Sequence, residues 1–306
     1  NQSSAASDVY KRQIIKIAIK MKPKKFLVTS ALPYANASLH IGHIFESVIT
    51  DIWVRFQVNH GNECHYFCAS DAHGTPVMLK AEELGISPEQ LIQNIQKEHL
   101  KSYSKYLINF SNFYSTHSDE NKTFSEEIYQ LAQNNGLIYK KEIEQFFDSE
   151  KLMFLSDRFI KGICPQCGAE DQYGDSCGVC GATYSPQDLV KPKSTLTNTA
   201  PILKTTEHIF FKLPEKTEFL KNFIKNLEIQ TPVKNKLKEW TSNMLKDWDI
   251  SRDSPYFGFK IPNEQDKYFY VWLDAPIGYF ASIKDWANKH SFLSLIHISE
   301  PTRLRS

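Results

Sequence analysis

A chain of 306 residues with 36 basic and 35 acidic side chains carries a formal net charge of only +1. It lacks the global positive field of a dedicated nucleic-acid binder, so any polyanion must be held locally. The length suits two domains, or one large α/β domain with an insertion. No apolar run approaches the roughly 20 residues of a membrane span, the lysines of "IIKIAIK" breaking the best of them, so no membrane partner is expected. Of the 6 cysteines, Cys164, Cys167, Cys177 and Cys180 form two CxxC pairs, whereas Cys64 and Cys68 lie on a predicted strand. That usage suits metal binding in a reducing, cytoplasmic setting better than a disulfide framework.

Both ends lack periodicity. "NQSSAASDVYKRQ" and "SLIHISEPTRLRS" resemble translated adapter sequence, so residues 1–20 and 294–306 are read as non-native tails and the chain as a fragment.

In chain order, "KKFLVTSA" is a β-branched run stopped by Pro33 and the polar turn "YANAS", and predicts a buried strand. A helix follows, with Ile41, Ile44, Phe45, Val48, Ile49, Ile52 and Phe56 on one face and Gly61 as its stop. "CHYFCAS" predicts a second strand ending at Asp71. Thr75 and Pro76 are expected as cap and first turn of "VMLKAEEL", closed by Gly85, and Ser87 to Gln90 make a capping box for the next helix. Alternating strand and helix argue for a doubly wound parallel sheet, whose ligands bind beyond the carboxyl ends of strands.

From about Gly136 short strands take over, in "KKEIEQFF", "KLMFLSDRF" and, after a cysteine-rich stretch, "EHIFFKL". Two helices are predicted next, in "FLKNFIKNL" and, opened by Pro232, "VKNKLKEWTSNMLKDW". "KYFYVWLD" returns to strand character and "APIGYFASIKDW" to helix, as though the sheet resumes. The expected domains are thus 21–135, an insertion at 136–247, and a resumption at 248–293.

The string His40, Ile41, Gly42, His43 opens a helix directly after a strand. A helix amino terminus offers unpaired N–H groups and a positive dipole end, which suit a phosphate, and two imidazoles three apart add donors on the same side. In nucleotidyl transfer such fixed donors stabilise charge building on the α-phosphate and on departing pyrophosphate. Gly42, without a side chain, leaves room for a flat base. Asp71, at the end of the second predicted strand, stands where a ligand-facing carboxylate should.

"LPYANASLHIGH" resembles the signature of the class I aminoacyl-tRNA synthetases. With "DAHGTPV", "WDISRD" and "YVWLDAPIGY" it resembles the methionyl-tRNA synthetase family, from about Lys24 to about Trp286. The resemblance implies a Rossmann-like catalytic domain that joins methionine to ATP as methionyl-adenylate, with Mg²⁺ accompanying the ATP, and then transfers methionine to its tRNA. It implies His40, Gly42 and His43 as the ATP site and Asp71 as the holder of the methionine ammonium. It implies Leu32, Tyr34, Trp272, Ala275, Pro276 and Tyr279 as the pocket for the thioether, which an apolar, aromatic lining can recognise. Arg252 matches an active-site arginine of the family. The family's lysine-bearing KMSKS-type loop does not occur in these residues, so the fragment by itself is expected to be inactive. Nothing in the sequence speaks to oligomeric state.

Cys164, Cys167, Cys177 and Cys180 are two CxxC knuckles nine residues apart, eased by Gly168, Gly174, Gly178 and Gly181. Four thiolates at that spacing close a tetrahedron around one Zn²⁺ and leave no position for water, so the metal is expected to be structural. The resemblance places this knuckle in a connective insertion.

Three rivals compete. Another class I synthetase for an apolar amino acid would need a large editing domain, for which 136–247 is too short once the knuckle is accommodated. An HxGH-type adenylyltransferase would need neither the knuckle nor "WLDAPIGY". A zinc-ribbon nucleic-acid module should cluster Lys and Arg around its cysteines, and Gly162 to Ser185 contains none.

Overall fold

A computed structural model describes residues 23–242 and 245–290. The expectations for 1–20 and 294–306 lie outside them. The order is β1 (Lys25–Thr29), α1 (Ile41–Asn59), β2 (Glu63–Ser70), α2 (Thr75–Leu84), α3 (Pro88–Lys105), β3 (Asn112–Ser115) and α4 (Asp119–Asn134). There follow β4 (Ile138–Asp148), β5 (Met153–Phe154), β6 (Ile160–Ile163), β7 (Gln172–Tyr173), β8 (Val190–Ser194) and β9 (Ile202–Phe211). Last come α5 (Thr217–Asn226), α6 (Thr231–Ser242), β10 (Trp248–Asp249), β11 (Ser251–Asp253), β12 (Lys267–Phe269) and α7 (Val271–Lys289).

Two compact units emerge. One gathers residues through Ala72, Glu89–Glu120 and those from Gly278 onward; the other gathers His73–Pro88 and Asn121–Ile277.

In the first unit β1, β2 and β3 form a parallel sheet in that order, with Phe26 opposite Cys64 and Cys68 opposite Phe113. Adjacent residues of β2 face opposite sides, as strand geometry demands. Tyr66 packs with Ile44 and Val54 of α1, Tyr103 of α3, and Ile108. Phe67 packs with Ile283, Trp286 and Ala287 of α7. Helices therefore cover both faces, the doubly wound arrangement, and each such buried aromatic contributes roughly 1.5–3 kcal/mol.

The face that α1 buries differs from the expected one. Ile44, Ser47, Asp51 and Val54 are buried, with Asp51 accepting the Asn109 N–H at 3.1 Å. Ile41 and Phe45 stay 78% and 64% exposed, and Ile49, Ile52 and Phe56 are exposed as well. The helix turns a mixed face of Ile44, Ser47, Asp51 and Val54 inward, tied by Asp51 to Asn109, and leaves most of its apolar stripe open. Beside the open stripe, a shallow groove of about 440 Å³ runs between β1 and α1, lined by Leu27, Val28, Thr29, Ile49, Thr50 and Trp53. Among the described residues, β2 is the only strand that pairs with β1.

In the second unit β4 and β9 pair antiparallel along ten residues, Ile138 opposite Phe211 through Phe147 opposite Ile202, flanked by β5 and β10. Their core holds Tyr129, Ile209, Ile250, Phe259, Ile261 and Phe269. A smaller sheet, β7–β6–β8, carries the cysteine knuckles.

Four local expectations need correction. Thr75 is the first helical residue of α2 and Gly74, at φ 114°, is its cap; the Gly74 N–H goes to the Phe257 carbonyl at 2.8 Å, a backbone position that favours glycine. Of "KLMFLSDRF" only Met153–Phe154 is strand, and Asp157–Phe159 forms a 3₁₀ turn. Residues 271–274, expected as strand, begin α7, because the Tyr256 hydroxyl accepts the Val271 N–H at 3.1 Å and starts the helix there. Finally, β12 pairs antiparallel with β11 rather than rejoining the parallel sheet.

Candidate functional site

At the start of α1 the helix is capped by histidines instead of the usual hydroxyl and carboxyl pair. His40 is the N-cap, with φ −100° and ψ 171°, and its Nδ1 accepts the Gly42 N–H at 3.1 Å. His43 Nδ1 accepts the His40 N–H at 3.3 Å. An imidazole that accepts at Nδ1 carries its proton on Nε2. Both rings thus carry Nε2–H donors, and they stack with centroids 3.7 Å apart and planes 24° apart. His40 is exposed and His43 half-buried.

Burial holds the His43 pKa below the ordinary imidazole value, with His40 and His99 adding to the effect and Glu46 opposing it. Keeping His43 uncharged preserves its role as an acceptor. A side chain on Gly42 would put Cβ 2.9 Å from His40 Cε1, so the glycine makes room first for the His40 ring. In the second turn, Glu46 accepts the Ala31 N–H at 2.7 Å and ties the helix to the end of β1.

Asp71 follows β2 and forms a parallel bridge with Tyr34, the Asp71 N–H bonding Pro33 O at 2.9 Å and the Ala35 N–H bonding Asp71 O at 2.7 Å. Tyr279 donates to the Ser30 carbonyl at 3.0 Å. Burial pushes its phenol up to about 12, with Cys68, Glu46 and Asp71 adding to the rise. A Cβ on Gly278 would lie 3.4 Å from Leu32 Cδ1. Leu32, Tyr34, Asp71 and Tyr279 therefore gather within the first unit.

The other expected pocket residues belong to the second unit. At the start of α7, Trp272 is 61% exposed, Ala275 is buried and Pro276 exposed. Arg252, on β11, lies with its guanidinium 3.7 Å from the Tyr270 ring centroid and 3.3 Å from Asp249 Oδ2.

The four knuckle cysteines offer sulfurs that all lie within 4.8 Å of one another. Cys164 and Cys180 Sγ are 3.9 Å apart, and Cys167 and Cys177 Sγ 3.6 Å. Four sulfurs about 2.3 Å from a central Zn²⁺ stand about 3.8 Å apart, so the donor set fits that ion. The N–H groups of Cys180 and Val179 point at Cys177 Sγ and help pull it down to about 6.

Sequence reasoning gave no role to four buried groups. His73 bonds Asp274 through Nδ1, and both are buried. Burial pushes the Asp274 carboxyl up, and His73 pulls it partly back. The Asn121 amide donates to the Asp274 carbonyl at 3.2 Å. His99, buried on α3, bonds the Ala37 carbonyl at 2.9 Å in the loop before the histidine pair. His208 lies between Asp249 and Asp253. His73 and Asp274 each sit inside a recognised motif, which was the available signal; His99 and His208 had none.

A family model described as tRNA synthetases class I (M) matches residues 26–297. The methionine–tRNA ligase of Dichelobacter nodosus (strain VCS1703A) is 53% identical over 274 residues, which make up 90% of this chain and 41% of that protein. The chain thus spans about two fifths of that relative's length. Two structures of Mycobacterium tuberculosis methionyl-tRNA synthetase, described as in complex with and as bound by methionyl-adenylate, resemble the chain with TM-scores of 0.65 and 0.64. Each is 22% identical, covering 85% of this chain and 47% of its own, a likeness that carries the fold alone.

Proposed function

The chain belongs to the class I tRNA synthetases of the M type, and from that premise we propose that the intact protein is a methionine–tRNA ligase. Its reaction attaches the methionine carboxylate to the α-phosphate of ATP, releases pyrophosphate, and passes the methionyl group to tRNA for methionine. The observation that carries the reading is the stacked pair of His40 and His43 at the start of α1, each anchored through Nδ1 and left with an Nε2–H donor. Donors fixed before the reaction need no rearrangement when charge builds on phosphate oxygens.

Asp71 takes the methionine ammonium, and Leu32, Tyr34 and Tyr279 line the space for its side chain. Trp272, Ala275 and Pro276 are assigned to the same side chain, and Arg252 to the reacting groups, on the motif match. Mg²⁺ accompanies ATP. Cys164, Cys167, Cys177 and Cys180 hold one structural Zn²⁺, which braces the β7–β6–β8 sheet in a connective insertion, 136–247, between halves of a nucleotide-binding domain at 21–135 and 248–293. The setting is the cytoplasm.

Methionine-dependent exchange of pyrophosphate into ATP, measured on a protein extended to the relatives' full length, tests this. The expected result is robust exchange that Asp71→Ala abolishes and that His40→Asn or His43→Asn lowers by roughly 10²-fold, as loss of one fixed donor does elsewhere. Exchange that depends on another amino acid, or that survives Asp71→Ala, would overturn the reading.

A further inference from the structure

Behind Arg252 lies a buried histidine that neither the motifs nor the proposed chemistry uses. His208 sits on β9, its Nδ1 2.7 Å from Asp249 Oδ2 and its Nε2 2.9 Å from Asp253 Oδ2. A neutral imidazole has one N–H and one lone pair, and a lone pair aimed at a carboxylate is repelled. Two carboxylates on two ring nitrogens therefore require the imidazolium.

The remaining groups around it are accounted for. Asp253 also accepts from the Thr206 hydroxyl at 2.9 Å and pairs with Lys267 of β12. Asp249 Oδ1 faces the Ser251 N–H at 3.2 Å, and the Ser251 hydroxyl accepts the Ile209 N–H at 2.8 Å. Lys141 is opposite His208 on β4 and directs its ammonium toward the Phe210 ring. The same oxygen, Asp249 Oδ2, receives His208 Nδ1 and stands 3.3 Å from Arg252 Nη1, which itself donates to the Ser251 carbonyl at 2.5 Å.

We propose that His208 is a positioning residue for Arg252: as an imidazolium shared between Asp249 and Asp253, it half-neutralises the carboxylate that holds the guanidinium, leaving Arg252 in place with donors free for an incoming anion. Without that shared charge, Asp249 would bind Arg252 as a full ion pair and withhold it. Burial works against the charge on His208, but the hydrogen bonds to Asp249 and Asp253 outweigh it and raise its pKa above the usual imidazole value. The inference rests on the proposed function only in taking Arg252 to face the substrate.

Nuclear magnetic resonance of this chain, labelled with ¹⁵N in histidine and arginine, tests it without substrate. At pH 7 the His208 ring is expected to show both nitrogens protonated. The Arg252 guanidinium signal should move with the same midpoint as His208 when the pH is raised, a measurement that needs no variant. In His208→Gln its hydrogens should exchange with solvent about tenfold more slowly, the change expected for one added charge-assisted hydrogen bond. A neutral His208 at pH 7, or an Arg252 signal indifferent both to the titration and to His208→Gln, overturns the proposal. Failure of the proposed function would show separately, as absence of methionine-dependent pyrophosphate exchange.

Discussion

His43 Nδ1 accepts the backbone N–H of His40, 3.3 Å away, so each ring of the pair is anchored by one nitrogen and offers the other. The anchoring depends on the absent side chain between them. Gly42→Ala places a methyl group 2.9 Å from the His40 ring, which can yield only by leaving the stack. Alanine is the better helix former by up to about 1 kcal/mol. The expected outcome is therefore unchanged or raised thermal stability with at least roughly tenfold lower pyrophosphate exchange in the full-length protein. Calorimetry and exchange on the same preparation check this; a variant that keeps full activity would remove the His40 ring from the chemistry.

Acid and base should unfold the chain at the same cluster through different groups. His208 has a raised native pKa, so its contribution is complete below the unfolded value of 6.5 and fades as pH climbs through the raised one. For Asp253, burial opposes the charge, but bonds from His208, Lys267 and Thr206 lower the pKa, so its contribution is present above 3.8 and lost as pH falls through the lowered value. Urea midpoints across pH should flatten on the alkaline side in His208→Phe, while wild-type stability declines there. Identical curves on that side would contradict the assignment.

Removal of metal should act locally. With a strong chelator, or in Cys177→Ser, protection from hydrogen exchange is expected to vanish in β7 and the cysteine loops while β1, β2 and β3 keep theirs, and β6 is partly held by the packing of Ile160 with Phe146, Leu155 and Leu189. Metal analysis should return one zinc per untreated chain. Preparations free of zinc but with a protected β7 would exclude the structural role.

Breaking the pair His73 and Asp274 should be costly because both are buried. His73→Ala leaves a carboxylate without its partner and is expected to lose about 3–5 kcal/mol, whereas His73→Phe with Asp274→Leu should lose less. Denaturant melts of the single and double variants give both numbers.

Regular periodicity, with Gly85 closing α2, made α1, α2 and α3 legible in the sequence, together with the parallel alternation of β1 and β2, although Thr75 is not the cap of α2. Periodicity points to the continuous apolar stripe of α1, whereas the buried face includes Ser47 and Asp51, and Asp51 reaches Asn109, 58 residues away. Val271 to Asp274 read as strand for their β-branched and aromatic character until the Tyr256 hydroxyl, 15 residues upstream, outvoted it. The site divides the same way. His40, His43 and the cysteines are singled out as candidates by local spacing and Asp71 by its place at a strand end, whereas His208 is defined by carboxylates 41 and 45 residues along the chain. No local pattern marks it.

Among the described residues β1 pairs with β2 alone, and its other margin, next to the oily flank of α1 formed by Ile41, Phe45, Ile49 and Ile52, has a practical consequence. Backbone amides beside a greasy slot form a zipper waiting for teeth, and molecules of this chain stored at high concentration are expected to supply them to one another. Light scattering that climbs with concentration and subsides in mild detergent would be its signature on the bench.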